Sequence, residues 1–255
     1  MRTIGIIGGL GPGATAAFYI EFIRCFMLHH PNRRPPVHLY SIPARLRSER
    51  NFIATATSPI SFLKPLCAAA EALKRAGADV LVIPCCSVQP LTRLISRHTS
   101  LPVISIIDST ARLARHRALR RVGLLATRPT LAAGDFQKAF AAANTESILP
   151  DSRSARHFCE LISRIAAGHI QSGDCSRFRR HLSNWRRRER LDAVVLACTE
   201  LHLLMDGYED RDRIIDCLSV LVDATVEYIR YPSEPVSRKA IQSTTRLAQE
   251  KQWTL

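Results

Sequence analysis

An α/β fold made of two pseudo-symmetric halves, each a mainly parallel sheet flanked by helices, is predicted by three observations. Short apolar runs rich in β-branched residues alternate with helical patterns along the 255 residues. Strands separated by helices pair in parallel and are covered on both faces. A faint repeat divides the chain: RTIGIIGGLGP at 2–12 has a counterpart in RVGLLATRPT at 121–130, and DVLVIPCCS at 79–87 has one in DAVVLACTE at 192–200. Each half thus opens on one strand and later offers a second, led by aspartate and ending in cysteine. Finally, 46% of the residues are apolar, enough at this length to bury a large core in one big domain or two modest ones. The halves are read as 1–117, completed by a helix at about 217–230, and 118–216, with a polar tail over 231–255.

The elements follow in order. Strands are predicted at 3–7 (TIGII), 37–42 (VHLYSI), 80–84 (VLVIP), 102–107 (PVISII), 121–126 (RVGLLA) and 193–197 (AVVLA), with helical patterns such as 67–76 and 108–118 between them. Asp108 suits the N-cap of the second of these helices, and Thr127 and Thr130 suit a helix start, a ligand contact or both. In SRFRRHLSNWRRRER at 176–190, Phe178, Leu182 and Trp185 recur at spacings of four and three, one apolar helical stripe with arginines on the other faces. The tail opens on two prolines that flank Ser-Glu and suits a docked helix, a partner contact or a loose extension.

Composition narrows the function. The net charge is +14, but arginine supplies 31 of the 36 basic residues and is spread along the whole chain. With no nucleic-acid-binding motif beside it, the basic helix reads as a solvated face, and nucleic acid is not the expected partner. Eight cysteines without regular spacing point to free thiols; Cys25, Cys67, Cys159, Cys175 and Cys217 form no CxxC or His/Cys cluster, so no metal is expected. The N-terminal apolar run of five residues is too short for a signal peptide or a membrane span, which predicts a cytoplasmic protein without membrane attachment. GGLGPGA also meets the GxGxxA spacing through Gly9, Gly11 and Ala14, but VHLYSI lacks the acidic residue that would bind a ribose, which argues against a nicotinamide cofactor.

The chemistry is expected at the carboxyl ends of the strands. Pseudo-symmetry would bring Cys85 or Cys86 to face Cys198 across a cleft between the halves. Two thiols on opposite sides of a substrate suit inversion of a stereocentre that carries an acidic hydrogen: one removes the proton, the other returns one to the opposite face. A thiol's reference pKa of about 8.5 suits both roles, and both cysteines precede a helix start, where free N–H groups favour a thiolate. Ser87, Thr127, Thr199 and the amides of the Gly8–Gly13 loop could hold a carboxylate and its enolate-like transition state. Glu200 suits a helix start or the tuning of Cys198.

The segments IGIIGGLGPGATAAFY, VIPCCS, PVISIIDST, VGLLATRPT and LACTELHLL, in this order over residues 2 to about 225, resemble the successive motifs of the aspartate/glutamate racemase family, whose relatives include hydantoin racemases and arylmalonate decarboxylases. The resemblance implies two flavodoxin-like halves with the active site in the cleft between them. It also implies a two-cysteine amino-acid racemase that uses no cofactor such as pyridoxal phosphate, and a homodimer. Cys85 and Cys198 fall on the family's two catalytic cysteines.

Departures from the family pattern bear on the substrate. Cys86 replaces the asparagine that resembling enzymes use to hold the substrate carboxylate, and Ala166 stands where many aspartate-specific relatives carry lysine. Arg45, Arg47 and Arg50 lie near the position where relatives hold an acidic side chain. The expected substrate site therefore comprises Gly9, Gly11, Arg45, Arg47, Cys86, Ser87, Thr127, Thr199 and Glu200. A one-thiol decarboxylase, a cis–trans isomerase of a dicarboxylate and a non-catalytic relative are the alternatives.

Overall fold

The first strand, β1 (Ile4–Gly8), pairs in parallel with β2 (Val37–Ser41) on one side and with β3 (Val80–Val82) on the other, and β4 (Val103–Ile104) completes a sheet of order β2-β1-β3-β4. A second parallel sheet comprises β5 (Arg121–Ala126), β6 (Glu146–Ile148), β7 (Ala193–Ala197) and β8 (Ile214–Asp216) in the equivalent order β6-β5-β7-β8. These are the two halves the repeat predicts, seen in a computed structural model that describes residues 1–205 and 211–230; the tail 231–255 lies outside them. Every residue of β1 and β7 is buried, as strands covered on both faces must be.

The repeated aspartates have a structural task. Asp79 Oδ2 accepts from Thr3 N–H at 2.7 Å while Asp79 N–H donates to Thr3 C=O at 2.9 Å. In the second half Asp192 Oδ2 accepts from the amides of Arg120 and Arg121 at 2.7 and 2.9 Å, and its own N–H donates to Arg121 C=O at 2.8 Å. Each aspartate fixes the register of the central strand pair, with Ile4 opposite Val80 and Val122 opposite Ala193.

Helices α1 (Pro12–His29), α2 (Leu46–Ala54), α3 (Leu63–Arg75), α4 (Thr92–Thr99) and α5 (Ile106–His116) belong to the first half. The second carries α6 (Arg128–Ala133), α7 (Asp135–Ala142), α8 (Ser152–Ala166) and α9 (Asp174–Arg188), after which α10 (Cys217–Arg230) returns to pack on α1 and α5. Phe18, Phe22 and Phe26 recur every four residues on α1 and are all fully buried; they share one continuous core with α10, α7 and the inner faces of both sheets. On α9, Phe178, Leu182 and Trp185 are buried against β7 and α8, while Arg177, Arg180, Arg187 and Arg188 are exposed. The first turn of α9 is clasped by Arg164 and Arg177, both bonded to the buried Asp174 at 2.7 and 2.8 Å.

Three expectations change. The run 102–107 is strand only over Val103–Ile104, because Ser105 turns the chain and caps α5 by accepting from Asp108 N–H at 3.1 Å. Asp108 therefore lies in the first turn and is not the N-cap. The third strand stops at Val82, before Ile83-Pro84, since proline has no N–H for the ladder. Strands β6 and β8 were not foreseen: three residues each are too few to show a period. Among the described residues no helix is long and apolar enough to cross a membrane.

Candidate active site

Both halves deliver a cysteine at the same place with the same backbone. Cys85 follows the end of β3 with φ −148° and ψ 117° and precedes a 3-10 helix, Cys86–Leu91; Cys198 follows β7 with φ −144° and ψ 117° and precedes a 3-10 helix, Thr199–Leu204. An extended residue before a tight helical turn points its side chain at the turn's free N–H groups. Accordingly, Cys85 takes hydrogen bonds from the amides of Ser87 and Val88, and Cys198 from those of Glu200 and Leu201. The two sulfurs are near enough for Cys85 to disfavour ionisation of Cys198. Thr199 Oγ1 donates to Pro84 C=O at 2.9 Å and so ties one thiol-bearing loop to the other.

The expectation that helix starts lower the thiol pKa is not met. Burial pushes Cys85 up to about 12, with the Ser87 and Val88 amides pulling down and Glu49 and Glu200 pushing further up. Cys198 is also raised well above its ordinary value, first by burial and then by Glu200. Short 3-10 turns offer amides but little macrodipole, and desolvation outweighs them.

Cys85 and Cys198 line a cavity between the halves, together with Gly11, Cys86, Ser87, Thr127, Thr199 and Glu200 of the expected site. Cys86 also faces the core: its thiol bonds Cys217, which in turn lies 3.5 Å from Thr110 Oγ1. Ser87, Thr127 and Thr130 close a triangle of hydroxyls at 2.9–3.0 Å, so two elements of opposite halves meet beside Cys85. Ala166, with Ile162, contributes apolar wall. Helix α2 forms a roof: Glu49, Phe52 and Ile53 point into the cavity while the helix packs on α8 and α6 of the other half. Arg128 Nη1 donates to Ala54 C=O at 3.3 Å and holds the end of that roof. The cavity has about 480 Å³ free of atoms, its open mouth included.

Other expected residues are elsewhere. Arg45, Arg47 and Arg50 are exposed on or beside α2 and do not line the cavity. Gly9, at φ 90°, packs against the backbone of Ile42 outside the cavity. Two amides of the glycine loop and the one just after it are used by the protein: Gly9 N–H donates to Thr15 Oγ1 at 3.2 Å, Gly11 N–H to the Glu49 carboxyl and Ala14 N–H to Glu200 Oε1 at 3.2 Å. Gly11 is required where it stands, because φ is 86° and a Cβ there would collide with Glu200 Oε1.

Glu200 is 5% exposed, and its Oε2 has no hydrogen-bond partner. Burial pushes its carboxyl up to about 7, against the pull of the Ala14 amide and with a further push from Glu49. Glu49, 8% exposed and likewise raised by burial, is the site residue that sequence reasoning missed. The signal was its helical spacing of three and four from Phe52 and Ile53, which puts a carboxylate on the apolar face of α2. Among the described residues the cavity is lined by no Lys, Arg or His, and no group of His, Cys, Asp and Glu could hold a metal ion.

Comparison with known proteins agrees with this layout. The chain is 25% identical over 243 residues to the broad specificity amino-acid racemase RacX of Bacillus subtilis (strain 168), a match covering 90% of this chain and 100% of the relative. The fold superposes on an aspartate racemase homologue from Pyrococcus horikoshii OT3 with a TM-score of 0.70 at 26% identity, covering 92% of this chain and 100% of that one. It also superposes on the aspartate racemase of Picrophilus torridus with a TM-score of 0.70 at 20% identity, covering 97% and 99%. The sequence model of the Asp/Glu/Hydantoin racemase family matches residues 7–225. Because that match runs from β1 into α10 and takes in both thiol-bearing strand exits, the chain belongs to the Asp/Glu/hydantoin racemase family.

Proposed function

We propose that the protein is an amino-acid racemase or epimerase that uses no cofactor, with Cys85 and Cys198 as its acid/base pair. The observation that carries this reading is the pair of thiols on one cavity, each at a strand exit with the same backbone angles and each facing two amides. One cysteine, as thiolate, takes the α-proton of the substrate and becomes a thiol. The other, a thiol, gives its proton to the opposite face of the planar carbanion and becomes the thiolate. The reverse reaction exchanges the roles. The hydroxyls of Ser87 and Thr127, once turned out of their triangle with Thr130 toward the cavity they line, supply donors for the substrate carboxylate, whose charge grows as the enolate forms.

The test is α-deuterium incorporation in deuterated water, followed with chirality for a panel of separate amino acids, without added cofactor. Exchange with inversion that is lost in both Cys85→Ala and Cys198→Ala is the expected result. Exchange without inversion, or activity that survives in either variant, would refute the two-base pair.

A further inference from the structure

Resting on the racemase reading of this cavity, we propose that Glu49 is a specificity-determining residue that selects an amino acid whose side chain ends in a cation, and that aspartate and glutamate are poor substrates. The cavity holds two carboxyls, Glu49 and Glu200, each more than nine-tenths buried, and no cationic side chain among the described residues lines it. A buried acidic group is ordinarily paired. Here the pairing is incomplete: Glu200 Oε2 has no partner although Oε1 is held by Ala14 N–H.

The two carboxyls can divide the substrate between them. Glu200 lies two residues from Cys198 and lines the cavity with its Oε1 anchored by Ala14 N–H, so its carboxyl stands beside the reacting centre, where the α-ammonium of any amino acid belongs. Glu49 comes from the roof, next to Phe52 and Ile53, and faces walls that include Phe62 and Ile162. Apolar walls ending in a carboxylate match a methylene stem that ends in an ammonium or guanidinium. An aspartate or glutamate side chain would bring a further negative charge into a desolvated space with no cation to meet it. The arginines that could have met it, Arg45, Arg47 and Arg50, are exposed and line no part of the cavity. Burial is the first cause of the raised pKa of both carboxyls, and His202 pulls Glu200 only partly back.

Equilibrium binding of L-lysine, L-norleucine and L-aspartate to the full chain and to Glu49→Gln tests this, since norleucine keeps lysine's stem without its terminal ammonium. The expected result is lysine binding about 100-fold tighter than aspartate and at least about 10-fold tighter than norleucine, the range of one charge-assisted hydrogen bond. Glu49→Gln should weaken lysine by about 10-fold or more and leave norleucine within about 3-fold, while Glu49→Asp keeps part of the preference. In turnover, Glu49→Gln should raise KM for lysine more than it lowers kcat. Equal or tighter binding of aspartate, an unchanged lysine-to-norleucine ratio in Glu49→Gln, or no binding of lysine would each overturn the proposal. Lysine selectivity without α-deuterium exchange would uphold it and remove the racemase reading; exchange of aspartate in preference to lysine would do the reverse.

Discussion

Glu200→Gln keeps an oxygen that can accept from Ala14 N–H and removes a titrating proton from the most perturbed carboxyl of the cavity. In the folded protein that carboxyl is raised from 4.5 to about 7, chiefly by burial. Below pH 4.5 folded and unfolded chains both carry the proton, and the group contributes no pH dependence. Between 4.5 and about 7 the unfolded chain ionises while the folded one stays neutral, so stability falls as pH rises, by up to about 1.4 kcal/mol per unit. Above about 7 the full loss, about 3 kcal/mol, is in place. Urea unfolding of both proteins from pH 4 to 8.5 at fixed ionic strength should show the variant gaining on the wild type by about that amount, with the change centred between 5 and 7. Glu49 is present in both proteins and cancels apart from its coupling to Glu200. A difference that stays flat with pH, or that grows in favour of the wild type, would refute the account of Glu200 as a carboxyl raised by burial.

Alkylation of Cys85 and Cys198 by iodoacetamide should be slow at pH 7 and still rising at pH 10, since burial raises both thiols; a plateau near pH 8 would contradict this. Gly11→Ala should lower the melting temperature and abolish turnover together, because the new Cβ strikes Glu200 Oε1 at a backbone angle that disfavours any side chain. Asp192→Ala, which frees two strand amides, should cost about 1–3 kcal/mol by urea unfolding, and Asp79→Ala, which frees one at an exposed edge, distinctly less. Trp185→Ala should cost about 3–5 kcal/mol in the same assay, because the ring is 3% exposed beneath the basic face of α9.

Legibility followed the strength of the local signal. The central strands, the repeat and the apolar stripe of α9 are carried by runs of bulky residues whose burial overrides other choices, and they stand where the sequence puts them. The two cysteines could be placed because a repeated strand end means a repeated position in space. What failed were inferences about who uses a polar group. The glycine loop looked like a cradle for a substrate anion, yet the amides of Gly9, Gly11 and the following Ala14 serve Thr15, Glu49 and Glu200, side chains up to 186 positions away in sequence. Arg45 and Arg47 looked like substrate contacts by their position after the second strand, but only the helical phase of α2 decides that Glu49 turns inward and they do not. Side-chain partners across a domain interface leave no period in a sequence.

The raised thiols also bear on how the proposed reaction would start. With Cys85 pushed up to about 12, its thiolate is scarce at pH 7. Two amides aimed at each sulfur do not offset the enclosure, and the nearby Glu200 and Glu49 work against it. The missing element is positive charge, and a substrate brings it: its α-ammonium meets Glu200, which removes the carboxylate's push on the thiols and adds an attraction of its own. The same enclosure that makes the thiolate rare makes it a stronger base once formed, which suits removal of a weakly acidic α-proton. On this argument crowding holds the site neutral, and the proposed cationic substrate would be what makes it basic.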